Sequence, residues 1–265
     1  MRQRPSLRDA VVLGAVQGPT ELLPVSSSAH IALLARGAGG SDAELQDALE
    51  VALHAGTALA LLVAGRRELV RAARELDGPR LVAGVLALVP PALLGYLLER
   101  GPARRPATPR TIAVGLALGG AAMVWADTRP QVRTLAQAGA GDGLALGLAQ
   151  AAALFPGVSR NGATLTVARA RGFARADAQA LSWRVGVPVM VGAAALKGTR
   201  LMQAGVPPKA ARTLAAGAGA ALISTLAGAP LIAPARRGRA LLPFGLYRMA
   251  LALLANRLRT AHNRS

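Results

Sequence analysis

Glu21, Ser27 and His30 lie close together in Gln17-Gly-Pro-Thr-Glu21-Leu-Leu-Pro24-Val-Ser26-Ser27-Ser28-Ala-His30. A carboxylate, hydroxyls and an imidazole are the groups of acid–base and nucleophilic chemistry. Gln17 and Glu21 are spaced to share one helix face, and Ser27 and His30 share a face of the next. Glu21 falls in an apolar stretch, where an ionisable group is costly and marks function by default. The competing reading is a carboxylate paired with an interior arginine for packing alone. One serine suffices to cap a helix. Three in a row with His30 behind them exceed that need.

A second polar knot reads Gln150-Ala-Ala-Ala-Leu-Phe-Pro156-Gly157-Val-Ser159-Arg160-Asn161-Gly-Ala-Thr164. Ser159 can cap a helix that starts with Arg160, Asn161 and Thr164. Free N–H groups and the positive dipole end make a helix start an anion site. The guanidinium fork suits phosphate, and Gly157 and Gly162 permit close backbone approach. An arginine snorkelling to a lipid headgroup fits poorly with a place inside the break. The two knots together suit phosphoryl transfer: an anion clamp, a metal-holding carboxylate, and a nucleophile or base. A hard divalent cation, Mg²⁺ with Ca²⁺ as the alternative, would take Glu21, the Gln17 amide oxygen and substrate phosphate oxygens. With 3 His and no Cys, a zinc site and a disulfide framework are not expected.

The knots resemble each other. Both are entered by Leu-Gly-x-x-Gln, both break at proline, and both resume with Val-Ser. Their offset, about 132–133 positions, carries on into Ala48-Leu49 and Ala180-Leu181. The surroundings are apolar: 52% of residues are hydrophobic and mean hydropathy is +0.38. Windows long enough to span a bilayer lie at roughly 48–65, 80–99, 111–126, 181–196, 213–233 and 240–256. A soluble helical bundle would need polar helix faces, and 213–233 has none. The formal charge of +18 is almost all arginine, with Lys197 and Lys209 the only lysines. It sits in short loops between apolar windows, which points to a membrane and not to nucleic acid. The N-terminal Met1-Arg-Gln-Arg-Pro resembles a signal n-region. The polar Gln17 and Glu21 that follow, with no clear cleavage site, argue for its retention.

The arms around Pro24 and Pro156 are too short to span separately, so each knot is expected to be a re-entrant hairpin. Three spans then follow each hairpin, and an odd number inverts the second half. The expected fold is an all-α integral membrane protein with six transmembrane helices plus two re-entrant helical hairpins in an inverted-topology repeat. It forms a single membrane domain, 1–265, with halves at about 1–130 and 140–265. Full spanning by each knot would instead give parallel halves. One face would hold the N-terminus, 36–47, 100–110, 197–212 and the C-terminus, and the other 66–80, 127–142, 167–180 and 234–240. Arginine is balanced between these faces, so charge does not orient the chain.

The motifs LGAVQGPTELLPVSSSAH (13–30) and PGVSRNGAT (156–164) resemble the integral-membrane, bacitracin-resistance type of bacterial undecaprenyl-diphosphate phosphatase. LEVALHAGT (49–57), LSW…VPVMVGA (181–193) and FGLYRMALALL (244–254) extend the resemblance over the whole chain. It implies the same fold, in the bacterial cell (inner) membrane, with the site open to the extracytoplasmic face. It implies metal-dependent removal of the terminal phosphate of undecaprenyl diphosphate, which recycles the carrier lipid of peptidoglycan synthesis and confers bacitracin resistance. By motif position, Gln17 and Glu21 fall on the acidic motif that holds metal. Ser26, Ser27 and His30 fall on the serine–histidine segment. Ser159, Arg160, Asn161 and Thr164 fall on the phosphate-binding motif. Ala29, Asn161 and Arg184 depart from the expected Gly, Ser and apolar residue, and Gln17 is neutral. Arg184 would add a phosphate contact or pair with Glu50.

Two chemical routes are open. Ser27 attacks phosphorus while His30 takes its proton, or His30 activates water while Ser27 binds phosphate. Glu50 and His54 would support the site from behind, or satisfy each other at i,i+4. A prenyl-phosphate flippase or transporter with the same anion site is the rival reading, and a Ser27–His30 pair would argue against it. A homodimer is a further expectation.

Overall fold

The computed structural model describes residues 5–37, 43–100, 107–236 and 240–262. Parts of the loops expected at 36–47, 100–110 and 234–240, and the n-region Met1–Arg4, lie outside the described residues. Helices in chain order are α1 Leu7–Leu22, α2 Ser27–Gly37, α3 Ala43–Arg74, α4 Gly78–Arg100, α5 Pro109–Asp127, α6 Ala140–Ala152, α7 Arg160–Ala170, α8 Arg175–Ala204, α9 Pro208–Arg236 and α10 Leu242–His262. No strand is formed among the described residues beyond one isolated bridge, Arg133 to Phe173.

Five of these helices, α3, α4, α5, α8 and α9, are long and apolar enough to cross a membrane. The chain is an all-α membrane protein. The sixth expected span is α10, which has comparable length but carries Arg248, Asn256 and Arg257. The pairs α1/α2 and α6/α7 are the two hairpins. Each is shorter than the roughly 20 residues a span needs.

Ion pairs show which helix ends share a face. Arg184 of α8 binds Glu68 and Glu75 at the end of α3, with N–O distances of 2.8 and 3.0 Å. Asp127 at the end of α5 accepts from Arg175 Nε of α8 (2.8 Å) and from the Leu241 amide before α10 (2.8 Å). Arg133 and Arg171 converge on Asp142 at the start of α6. Apart from Arg184 and Leu241, which lie just inside the neighbouring windows, these residues fall in the segments expected on one face. Asp47 of α3 and Lys197 of α8 line one vestibule toward the other end of the same pair of helices. α3 and α8 are therefore antiparallel, as inversion requires. Arg184 is not next to Glu50: it lies near the end of the bundle, where carboxylates of α3 reach it.

Each hairpin leans on the other half. α1 packs against α9 and α6 packs against α4. Both contacts are made through glycines one turn apart, Gly14 and Gly18 in α1, Gly143 and Gly147 in α6. A Cβ at any of them would collide with the backbone of the facing helix. Such small-residue seams let helices approach closely in lipid. Ser224 Oγ donates to the Gly14 carbonyl at 2.8 Å, and Gln150 Nε2 to the Ala87 carbonyl at 3.0 Å. Thus the repeated glutamine does different work in each half: Gln150 ties α6 to α4, while Gln17 faces Glu21.

Candidate active site

Both breaks end on a serine in the left-handed region. Leu23 leaves α1 in extended conformation, Pro24 prevents continuation, and Ser26 turns back with φ +72°. Its carbonyl then accepts the first bond of α2 from the His30 amide, at 3.3 Å. At the equivalent place in the second knot, Ser159 has φ +65°, and Gly157 before it has φ +88°. Ser159 Oγ accepts from the Gly162 amide at 3.2 Å and caps α7. The left-handed region is strained for a residue with a Cβ, on the order of 1–3 kcal/mol, and such strain collects at functional sites. Among described non-glycine residues, only these two serines adopt it.

The turns bring three groups together. Arg160 Nη2 donates to Glu21 Oε1 at 3.0 Å, across the two halves. Ser27 Oγ donates to Glu21 Oε2 at 2.6 Å. Gln17 Nε2 reaches the same oxygen at 3.5 Å. Arg160 lies across Gly186 of α8, where a Cβ would occupy the guanidinium's place, and also touches Met190 Sδ at 2.8 Å. Glu21 and Arg160 are largely buried, and their mutual charge offsets much of the cost of desolvation.

A cavity of about 110 Å³ lies between the knots, lined by Thr20, Glu21, Ser26, Ser27, Ser28, Ser159 and Arg160 among others. It is a small polar chamber with hydroxyls on both sides and one guanidinium. Glu21 and Arg160 also close the inner end of a larger vestibule, about 240 Å³, between α3 and α8. Glu50, His54 and Asp47 line one wall, and Met190, Ala193 and Lys197 the other. Glu50 and His54 are thus brought to the site, but they do not pair by side chain. His54 Nδ1 donates to the Glu50 carbonyl at 2.8 Å.

Three expected contacts are not formed. His30 does not meet Ser27: its Nδ1 is 2.8 Å from the Ser26 carbonyl and its Nε2 2.7 Å from Tyr247 Oη. Ser27 opens α2 and points back to α1, while His30, most of a turn further on, faces α10. Asn161 and Thr164 do not line the cavity either. They bind α7 to α8: Ser182 Oγ donates to Asn161 Oδ1 at 3.0 Å and lies 2.6 Å from Thr164 Oγ1. Ser182 and Thr20 were not singled out from sequence, because lone hydroxyls on apolar helices carry no pattern; Ser28 stood out there only as part of the serine run.

Gln17 Oε1 is buried and has no hydrogen-bond partner. That orphaned amide oxygen beside a carboxylate is a hard-ligand pair of the kind Mg²⁺ or Ca²⁺ takes. No group of three or more His, Cys, Asp or Glu able to hold a metal occurs among the described residues. The donor set therefore fits a cation shared with substrate phosphates and not a self-sufficient metal cage.

Residues 10–254 match the family model described as bacitracin resistance protein BacA. The chain belongs to the BacA family. Three curated relatives, each named undecaprenyl-diphosphatase, agree with that over nearly full length. The protein of Trichlorobacter lovleyi is 34% identical, covering 93% of this chain and 95% of its own. That of Pelobacter propionicus is 36% identical, with coverages of 92% and 94%. That of Rubrobacter xylanophilus is 37% identical, with coverages of 94% and 96%. The BacA match takes in both knots and most of α10.

Proposed function

We propose that this chain is a multi-pass membrane hydrolase that converts undecaprenyl diphosphate to undecaprenyl phosphate and orthophosphate. That activity recycles the carrier lipid of envelope synthesis and gives resistance to bacitracin. The observation that carries the chemistry is the 2.6 Å bond from the Ser27 hydroxyl to Glu21, itself bridged to Arg160 at the edge of a polar chamber.

The terminal phosphate occupies the chamber, held by Arg160, Ser26, Ser28 and Ser159. Ser27 Oγ attacks its phosphorus, and Glu21 accepts the hydroxyl proton. The anhydride P–O bond breaks and prenyl phosphate leaves. Water then cleaves the phosphoserine, returning Ser27 and releasing orthophosphate. Arg160 neutralises charge on the transferred group. Glu21 and the Gln17 amide oxygen would hold the Mg²⁺ or Ca²⁺ ion, which supplies charge neutralisation to the diphosphate. The base beside Ser27 is Glu21, which replaces the expected serine–histidine pair. We place the vestibule mouth, and so the site, on the extracytoplasmic side of the bacterial inner membrane.

Phosphate release from a prenyl diphosphate with Mg²⁺, by the purified chain in detergent, tests this reading. Absence of release from a folded sample would overturn it and leave the transport alternative. Covalent phosphate trapped on Ser27 after acid quench is the expected sign of the serine route.

A further inference from the structure

Consecutive residues of α10 each hold one knot. Tyr247 stacks on His30, with ring centroids 5.8 Å apart and planes 5° from parallel. Its hydroxyl lies 2.7 Å from His30 Nε2. The Ser26 carbonyl can only accept, so Nδ1 carries the proton toward it, and in the neutral ring Nε2 accepts from Tyr247. The chain Tyr247–His30–Ser26 ends on the left-handed residue of the first knot.

Arg248 does the equivalent for the second. It is fully buried. Its Nη2 donates to the carbonyls of Val158 at 2.7 Å, Gly157 at 3.0 Å and Gly115 at 3.4 Å. The guanidinium fills a slot left by the missing side chains of Gly119 in α5 and Gly162 in α7. These bonds end on the left-handed Gly157 and on the residue before Ser159. No salt bridge is formed by Arg248 among the described residues, and its Nε and Nη1 have no hydrogen-bond partner. A buried, unpaired charge is costly. A packing role alone would be better served by an apolar side chain. Strained backbone persists only where its surroundings over-determine it, and here both strained turns are held from one helix.

We propose that Tyr247 and Arg248 are positioning residues, through which α10 sets the spacing between Ser27 and Arg160. Neither lines the chamber. The proposal rests on the phosphatase reading for its kinetic consequence, and on geometry alone for the spacing.

The test uses the full chain in detergent, farnesyl diphosphate and Mg²⁺, with Tyr247→Phe, Arg248→Lys and Gly119→Ala. The last leaves the arginine in place but pushes its guanidinium aside. Arg248→Lys and Gly119→Ala displace Arg160 and are expected to raise KM roughly tenfold, with a smaller change in kcat. Tyr247→Phe loosens the Ser27 side and is expected to lower kcat roughly tenfold with KM little changed. Should Arg248→Lys fail to fold, Gly119→Ala takes its place.

Because the chain has no Cys, Ser28→Cys with Ala153→Cys reports the width of the chamber they line. The rate of bridging by a short bifunctional thiol reagent should change in each α10 or Gly119 background. A merely structural role would lower melting temperature and leave kinetics per folded molecule and the bridging rate as in wild type. That result would overturn the proposal. Wild type that releases no phosphate would sink the phosphatase reading, while the bridging rates would still decide the spacing.

Discussion

Glu21 and Arg160 are 139 positions apart, one in each half of the repeat, and form a 3.0 Å ion pair. The duplication kept the break, the serine and its left-handed turn in both copies, then divided the chemistry. Leu154 stands where the second copy would have repeated Glu21, so the second knot has no carboxylate to neutralise its own arginine. The first copy's acid supplies it, and the pair joins the halves at the site.

Removing either partner should therefore cost both activity and stability. Arg160→Ala leaves Glu21 buried without its counter-ion, which costs about 3–5 kcal/mol for a buried pair. Arg160→Lys keeps the charge but loses the fork, and should lower kcat/KM by roughly one to two orders of magnitude. Steady-state phosphate release with melting curves in detergent separates the two effects. Activity of Arg160→Ala equal to wild type would remove Arg160 from the site.

Ser27 and His30 should behave differently, because only Ser27 reaches Glu21. Ser27→Ala is expected to lower kcat by about three orders of magnitude or more, with KM little changed. His30→Ala removes a group held by Tyr247 and Ser26, and should retain measurable turnover and still form phosphoserine. Turnover surviving Ser27→Ala but lost in His30→Ala would return the mechanism to histidine-activated water.

The hairpins and the inversion were legible because prolines inside apolar stretches leave few ways to satisfy the backbone. Six windows and two knots then determine parity. The pairing of Glu21 with Ser27 was hidden by sequence proximity. Ser27 and His30 are three apart on one helix, but the φ +72° turn at Ser26 aims the first residue of α2 back at α1. Arg184 looked misplaced because its helix was expected to start at 181. α8 begins at Arg175, so Arg184 meets the carboxylates at the end of α3. Arg248 stood in the middle of an expected span, and an intramembrane arginine is a functional signal by itself. Its targets, the carbonyls of Gly115, Gly157 and Val158 far away in sequence, need the fold.

The hairpin seams should be intolerant of bulk. A Cβ at Gly147 would strike the Leu86 carbonyl and Pro90 of α4. Gly147→Val is expected to destabilise by about 1–3 kcal/mol, as overpacking does. Gly139, which has open space around its Cβ position, should accept alanine with little loss. Melting temperatures in detergent compare the two, and equal values would show that the seam can yield.

Asp142 gives a pH dependence outside the membrane spans. Burial pushes its carboxyl up. The hydrogen bonds from Arg133, the Gly139 amide and Arg171 outweigh that and hold it down to about 2, against an ordinary 3.8. A depressed folded pKa means the stabilisation is complete above the ordinary range and is lost as pH falls from about 4 toward 2. Its size is about 2 kcal/mol. Asp142→Asn should lower the melting temperature at neutral pH and flatten the acid limb of the stability curve. An unchanged acid limb would show that other carboxylates dominate it.

The vestibule orients the whole chain, since it joins Glu21 and Arg160 to the face that bears Asp47 and Lys197. Arginine is balanced between the faces, so accessibility must decide. Because the chain has no Cys, Lys197→Cys is a unique label site. With the mouth outside, a membrane-impermeant maleimide should label it in spheroplasts without permeabilisation. Cysteine at Arg74, at the end of α3 on the opposite face, should react only after permeabilisation. The reverse pattern would place the site on the cytoplasmic side. The enzyme would then take its diphosphate from the inner leaflet.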